Sequence, residues 1–190
     1  MTLPLILGFD TSAAHCAAAL VRGETVLESV GEDMARGQAE RLMGLLEEVL
    51  TRNGVTWSDL DALAVGTGPG NFTGIRIGVS AARGLALGLG CPAYGVTGFE
   101  ARARLAPDGM RVAIPAPRDT AYVMDGSEVV LVPSAEIQDM APHPPAADLA
   151  RAIALHAVSQ WPHKAPAPAP FYVRAPDAAP ARDAPPKILS

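Results

Sequence analysis

The stretch that most constrains this chain is residues 66–78, Gly66-Thr67-Gly68-Pro69-Gly70-Asn71-Phe72-Thr73-Gly74-Ile75-Arg76-Ile77-Gly78. Five of its thirteen residues are glycine. It follows the apolar run 62–65 and opens into residues 75–89, whose composition is helical. The local reading is strand, tight loop, helix. Pro69 fixes one turn, and Asn71 or Thr73 can cap the helix. Glycines at a helix N-terminus can cradle an anion, because free N–H groups and the helix dipole point the same way. The nucleotide patterns fit poorly. A Walker loop ends in Gly-Lys-Ser/Thr, where this chain has Gly74-Ile75-Arg76, and no βαβ unit with a following acid is clear. The favoured reading of the glycines is therefore steric: a sharp loop that lets a helix pack close to a sheet.

At 190 residues the chain fits one compact domain or two small ones. Apolar residues make up 49% but aromatic residues only 5%, so alanine, leucine and valine must fill the core. The net charge of −5 argues against a broad electrostatic footprint for nucleic acid. Cys16 and Cys91 match no ligand spacing and read as reduced thiols of a cytoplasmic protein. No basic segment precedes the first apolar run, and Asp10 interrupts that run early, which speaks against a signal peptide. No segment reaches the length of a membrane span, and the central uncharged run 84–99 holds five glycines and a proline.

Residues 3–9, 14–21 and 25–30 read as three strands with tight connections, the first two forming a hairpin around Asp10-Thr11-Ser12. Residues 37–53 give the clearest helix, with Leu42, Leu45, Leu46, Val49 and Leu50 at i, i+3, i+4, i+7, i+8. A second helix over 73–89 differs in character. Gly74, Gly78, Ala81 and Ala82 form a ridge of small residues, large apolar residues cover much of the rest, and Arg76, Ser80 and Arg83 are polar. A helix apolar nearly all round has more than one side to bury. One side suits its own sheet and the other a partner. A strand over 92–96 and a short helix over 97–105 follow.

Fifteen of the eighteen prolines lie beyond residue 106. There the strands 111–114, 120–125 and 128–132, with an Asp125-Gly126 hairpin turn, mark a small second unit. A helix over 148–160 completes it. The Ala/Pro-rich segment 162–186 reads as an extended tail, partly disordered or draped on the surface. The division is thus 1–106, 107–161 and 162–190.

Few residues offer chemistry. Asp10 stands at a strand end beside two hydroxyls, either as a Mg²⁺ or phosphate contact or as an Asx-type turn. His15, His143, His156 and His163 form no i, i+3 or i+4 pair, so no metal site is expected. Lys164 and Lys187 are the only lysines. Ser12 and Ser80 sit in no nucleophile elbow. Arg76 and Arg83 share a helix face and could hold an anion or a partner carboxylate, or stay solvated. No catalytic residue and no cofactor are expected.

Taken together, Ile6-Leu7-Gly8-Phe9-Asp10-Thr11-Ser12, Ala39-Glu40-Arg41-Leu42 and Gly68–Gly78 resemble the TsaB (YeaZ) family of the bacterial tRNA threonylcarbamoyladenosine machinery. Pro170-Phe171-Tyr172-Val173-Arg174-Ala175-Pro176-Asp177 is similar to that family's closing Pro-x-Tyr-Leu-Arg segment. The resemblance implies an α/β fold of the actin/sugar-kinase/heat-shock-like (ASKHA, ribonuclease H-like) kind, with two lobes, the second short. It implies a non-catalytic partner of TsaD, the ATP- and metal-binding paralogue, working with the ATPase TsaE. The complex transfers threonylcarbamoyl to an adenosine of tRNA. The two long helices would form the partner surface. The candidate partner-binding residues are Leu42, Leu45, Gly74, Arg76, Gly78, Ala82 and Leu85, with self-association in the partner's absence. Asp10, Thr11 and Ser12 would be a vestigial phosphate loop. The chain departs from the family at Gln38, before Ala39-Glu40, and at Ala116-Pro117-Arg118, where Asp-Ala-Arg is usual. With no second phosphate loop and no adenosine loop in view, the isolated chain is expected not to bind ATP tightly. It is expected to meet tRNA only through the complex, and to have no membrane role. The alternative is a stand-alone ATP-dependent kinase or metallopeptidase-like enzyme of the same fold.

Overall fold

Alternation along the first strand sets the architecture. In the computed structural model, which describes residues 3–173, β1 (Leu5–Asp10) is buried along its whole length. Leu5, Leu7 and Phe9 point to one face and Ile6 and Gly8 to the other, so each face needs its own cover. β1 pairs antiparallel with β2 (His15–Arg22), which pairs antiparallel with β3 (Thr25–Asp33). On its other side β1 runs parallel to β4 (Ala62–Gly66), and β4 runs parallel to β5 (Ala93–Val96). The order is β3-β2-β1-β4-β5, the ribonuclease H-like arrangement.

α1 (Gln38–Arg52) and α2 (Phe72–Leu89) cover the first face. The leucine stripe Leu42, Leu45, Leu46, Val49 and Leu50 faces the sheet, as its spacing dictates. Ile75, Val79 and Ala82 of α2 join the same core. α1 ends at Asn53, whose Nδ2 donates to the Val49 carbonyl at 2.8 Å. Arg41 ties α1 to β3 through two bonds to Glu32, 2.8 and 2.6 Å, and reaches Glu48 as well.

The second face is closed by α4 (Ala146–Gln160), which packs on β1, β2, β3 and β4. The sequence reading assigned this helix to the second unit; in the fold it lies on the first sheet. Alanine makes this possible. Ala150, Ala152, Ala154 and Ala157 meet Ala17, Ala19, Ala62 and Ala64, with Leu149 and Ile153 between. Helix and sheet approach so closely that a Cβ at Gly8 would sit 2.7 Å from the Ala154 Cβ and 2.9 Å from its amide nitrogen. Small side chains on both surfaces let this face close without aromatic bulk.

α3 (Gly98–Ala103) follows β5 and carries a capping box, in which Thr97 Oγ1 accepts from Glu100 N and Glu100 Oε2 accepts from Thr97 N. Beyond it β6 (Ala113–Ala116), β7 (Thr120–Asp125) and β8 (Glu128–Pro133) form a separate antiparallel sheet. Asp125 and Glu128 face each other across the Gly126 turn, whose φ of 59° suits glycine. Ala113, Ala121 and Val123 make its small core with Val130, Val132 and Ile137.

After α4 the chain runs back along β5. Tyr94 Oη donates to the His163 carbonyl at 2.9 Å, and Phe171 N donates to the Thr67 carbonyl at 2.8 Å. The expected tail is therefore laid on the surface as far as residue 173; Arg174 and the rest of it lie outside the described residues. No described helix is long and apolar enough to cross a membrane.

The tight approach of α4 is directly testable. Gly8→Val would drive a branched side chain into the α4 backbone, so a loss of about 1–3 kcal/mol is expected, as for overpacked cores. Thermal melting checks it, and a variant that melts like the parent would mean that α4 does not sit this close.

Candidate functional site

Two loops meet at the C-terminal ends of β1 and β4. One is Asp10-Thr11-Ser12 and the other is the glycine loop leading into α2. Glycines recur there every fourth residue at 66, 70, 74 and 78, and each sits against the first loop. An added Cβ would overlap Asp10 Oδ1 at Gly66, the Ser12 carbonyl oxygen at Gly70 and the Thr11 carbonyl oxygen at Gly74. At Gly78 it would lie 2.8 Å from Thr11 Oγ1. The steric reading of the glycines is thus what the fold uses: bare backbone lets α2 lie directly on the first loop. Asn71 caps α2, its Oδ1 accepting from Gly74 N at 2.8 Å.

Polar atoms of the first loop are engaged in the same junction. Thr11 Oγ1 donates to the Gly74 carbonyl at 2.7 Å. Asn71 N donates to the Ser12 carbonyl at 2.7 Å. Asp10 is 3% exposed and accepts from Ser12 N at 3.1 Å and Ser12 Oγ at 3.0 Å. His15 Nε2 lies 2.8 Å from Asp10 Oδ2, and because a carboxylate can only accept, Nε2 carries the proton. Asp10, Thr11 and Ser12 are together, as the sequence suggested, but their polar groups hold β1, β2 and α2 to one another. This is the Asx-type reading of Asp10, with a histidine added.

His15 was not visible from spacing as a partner of Asp10. It lies five residues on, and only the β1–β2 hairpin brings the two together. Burial raises the pKa of both cysteine thiols. Cys16 is buried, and desolvation with nearby Glu32 pushes its thiol up to about 11. Among the described residues no group of three His, Cys, Asp or Glu side chains could hold a metal ion.

The expected partner surface needs correction. Leu42, Leu45, Gly74, Gly78 and Ala82 are all buried in the protein's own core, Ala82 completely. Their helix face is the one that the sheet and the first loop cover in this fold. Leu85 is half-buried and Arg76 is exposed. The outward stripe of α2 is Arg76, Ser80, Arg83 and Leu87, with Leu87 87% exposed. Beside it lie Gly84 and Gly88, exposed, with no atom within 4 Å of an added Cβ. A smooth patch of small residues does exist, but it is the pair Gly84 and Gly88. Arg76 is not simply solvated. Its guanidinium carbon lies 3.8 Å from the Phe72 ring centre, and its Nε donates to Tyr172 Oη at 2.9 Å. The tail thereby reaches the edge of this face.

A cleft of about 650 Å³ opens between the first loop and the second sheet. Ser12, His15, Asp33, Asn71, Arg102, Tyr122 and His143 contribute its polar lining, with Ala116 and Pro117 of the departed Asp-Ala-Arg segment. Arg102 had no sequence signal beyond being a charge in an apolar stretch.

The Asp10 network fixes an acid response. Burial pushes the Asp10 carboxyl up, but the His15 hydrogen bond and charge and the two Ser12 bonds outweigh it, leaving the pKa below the usual carboxylate value. A depressed folded-state pKa contributes stability that is complete above the unfolded value of about 3.9 and is lost as pH falls through the folded one. Asp10→Asn should therefore lower the melting temperature near neutral pH and flatten its decline below about pH 4. Melting curves from pH 7 to 2 measure this, and identical acid limbs would remove Asp10 from the account.

Comparison with known proteins completes the picture. Residues 25–168 match the family described as TsaD, tRNA N6-adenosine threonylcarbamoyltransferase. The tRNA threonylcarbamoyladenosine biosynthesis protein TsaB of Escherichia coli K12 is 41% identical over 92 residues, 48% of this chain and 39% of that protein. The match thus spans about two-fifths of that relative's length. A Pseudomonas aeruginosa protein with similarity to the peptidase YEAZ is 24% identical, with a TM-score of 0.72 over 90% of this chain and all of that one. YeaZ from Pseudomonas aeruginosa itself is 25% identical, with a TM-score of 0.62 over 84% of this chain and 94% of its own. These likenesses agree with the strand order in giving an ASKHA, ribonuclease H-like fold. The chain belongs to the TsaD family of tRNA N6-adenosine threonylcarbamoyltransferases, as a member of its TsaB/YeaZ group.

Proposed function

We propose that this chain acts in tRNA threonylcarbamoyladenosine biosynthesis as a non-catalytic subunit, binding and supporting a TsaD homologue together with a TsaE homologue. One observation carries the non-catalytic part. The loop placed to hold a phosphate, Asp10-Thr11-Ser12, has its hydroxyls and carboxylate engaged within the fold, and glycine backbone fills the space in front of it. A group already bonded and covered is poorly placed to bind and turn over a nucleotide. Names of the relatives supply the pathway.

The surface best suited to the partner is the outward face of α2. Gly84 and Gly88 let another helix approach closely, and Leu87 projects beside them as an apolar anchor. Arg76 and Arg83 border it with Ser80 in a shallow groove of about 370 Å³, so the complementary surface should carry carboxylates. In the partner's absence a second copy of the chain takes the same face. The reading keeps residues 1–106 as the first lobe, 107–161 as the second and 162–190 as the tail, with α4 lent to the first sheet.

Reconstitution tests the role. Threonylcarbamoyladenosine formation by the TsaD and TsaE homologues should be low without this chain and restored by adding it. Equal modification in its absence would refute a supporting role. Variants locate the face. Gly84→Gln with Gly88→Gln replaces exposed helix glycines by better helix formers, so the melt should hold or rise by up to about 1 kcal/mol per site. The same pair should weaken TsaD association at least tenfold, as should Leu87→Asp. Ala82→Glu provides the contrast: it buries an unpaired charge in the core and should unfold the chain outright. Undiminished association of the glycine variant would place the partner elsewhere.

A further inference from the structure

The cleft beside the first loop is lined by a cation that has no counter-ion among the described residues. Arg102 is 7% exposed and lies on α3, at the wall between the 650 Å³ cleft and a smaller cavity of about 280 Å³. Among the described residues its guanidinium makes one hydrogen bond, from Nη1 to the Gly98 carbonyl at 3.3 Å, and no ion pair. Its Nε is buried with no partner. Burial pulls its pKa down, partly opposed by Asp10, yet an arginine stays charged. Leaving a buried guanidinium donor unmatched is costly. Asp10 makes neither a hydrogen bond nor an ion pair with it; the Asp10 carboxylate accepts from Ser12 and His15 instead.

The surroundings are arranged for a negative guest. Gly98 leaves room for the guanidinium, since a Cβ there would lie 3.0 Å from Nη1. Asn71 uses its Oδ1 as the cap of α2, which leaves its Nδ2 as a donor at the cleft wall. Tyr122 and His143 add a hydroxyl and an imidazole. Partial burial, together with Arg102 and His15, keeps the His143 ring below the usual histidine range, so the pocket already resists further positive charge. Asp33 is the one carboxylate in the lining, and it is exposed at the rim.

From the buried, unpaired Arg102 and the donors around it, we infer that this cleft binds a small oxyanion, a phosphate or carboxylate group seated on the guanidinium. The planar guanidinium matches either group through two parallel N–H bonds, and the cleft is large enough for the body of a small metabolite behind it. The site is distinct from the outward face of α2 and does not depend on the partner reading. It also differs from the vestigial phosphate loop, because the charge comes from α3.

The test uses the full chain and two probes, inorganic phosphate and malonate, against chloride at equal ionic strength. At an anion concentration about ten times its dissociation constant, the parent should melt about 3–6 °C higher than in chloride. Arg102→Met should lose that increment. Without anion it should melt at or above the parent, because an unpaired buried charge gives way to an apolar side chain of similar length. Arg102→Lys should keep part of the response to phosphate and lose most of the response to malonate if the carboxylate needs the planar fork. A rise with phosphate alone assigns a phosphate-bearing ligand, and a rise with malonate alone a carboxylate. No rise with either anion, or an equal rise in parent and Arg102→Met, overturns the proposal. Should Arg102→Met fail to fold, titration calorimetry of the parent decides: heat that saturates with one anion per chain supports the site, and its absence removes it.

Discussion

Everything near the centre of this molecule depends on one contact, backbone against backbone, between the loop after β1 and the first turns of α2. The carbonyls of Thr11 and Ser12 lie where side chains would stand if residues 74 and 70 were anything but glycine. Close approach lets Thr11 Oγ1 reach the Gly74 carbonyl and Asn71 N reach that of Ser12. Those bonds remove polar groups from competition with solvent in a region that is nearly dry. α2 is thereby fixed over β4, and its orientation decides which of its residues look out.

That orientation separates the structural from the exposed face. A helix laid this close to the sheet turns Gly74, Gly78 and Ala82 inward at four-residue spacing. Arg76, Ser80, Arg83 and Leu87 then point away. The opposite side of the sheet obeys the same logic with different residues. There Gly8 and a field of alanines admit α4, as glycines admit α2 on the first side. A core with few aromatic residues closes because its layers stand close together, not because its side chains are large.

The Asp10–His15 pair and Arg102 show two ways in which one region handles buried charge. Asp10 is surrounded by donors and sits with its charge satisfied. Arg102, at the neighbouring wall of the cleft, is not. A fold that neutralises one buried charge so thoroughly and leaves the next without a partner among the described residues has placed an electrostatic demand at the wall of this cleft.

Sequence alone determined the elements and the sense of the glycine motif. Local periodicity carries the information for α1, because leucines at i, i+3 and i+4 mark a face wherever the helix is placed. The continuous apolar runs of β1 and β2 required cover on both faces, and the Asp125-Gly126 turn specified its hairpin. The family motifs were long enough to be recognised without any structure. What only the tertiary structure decided was direction and distance. A helix apolar on nearly all sides, such as α2, does not say which side meets its own sheet, so Gly78 and Ala82 could not be told from Gly84 and Gly88. The placement of α4 on the first sheet, 113 residues from the end of β3, is a long-range packing choice with no local signature. His15 joins Asp10 only across a hairpin, and Arg102 becomes a lone buried cation only once α3 and the second sheet close around it. Period and turn chemistry are properties of neighbours in the chain, while burial and pairing are properties of neighbours in space.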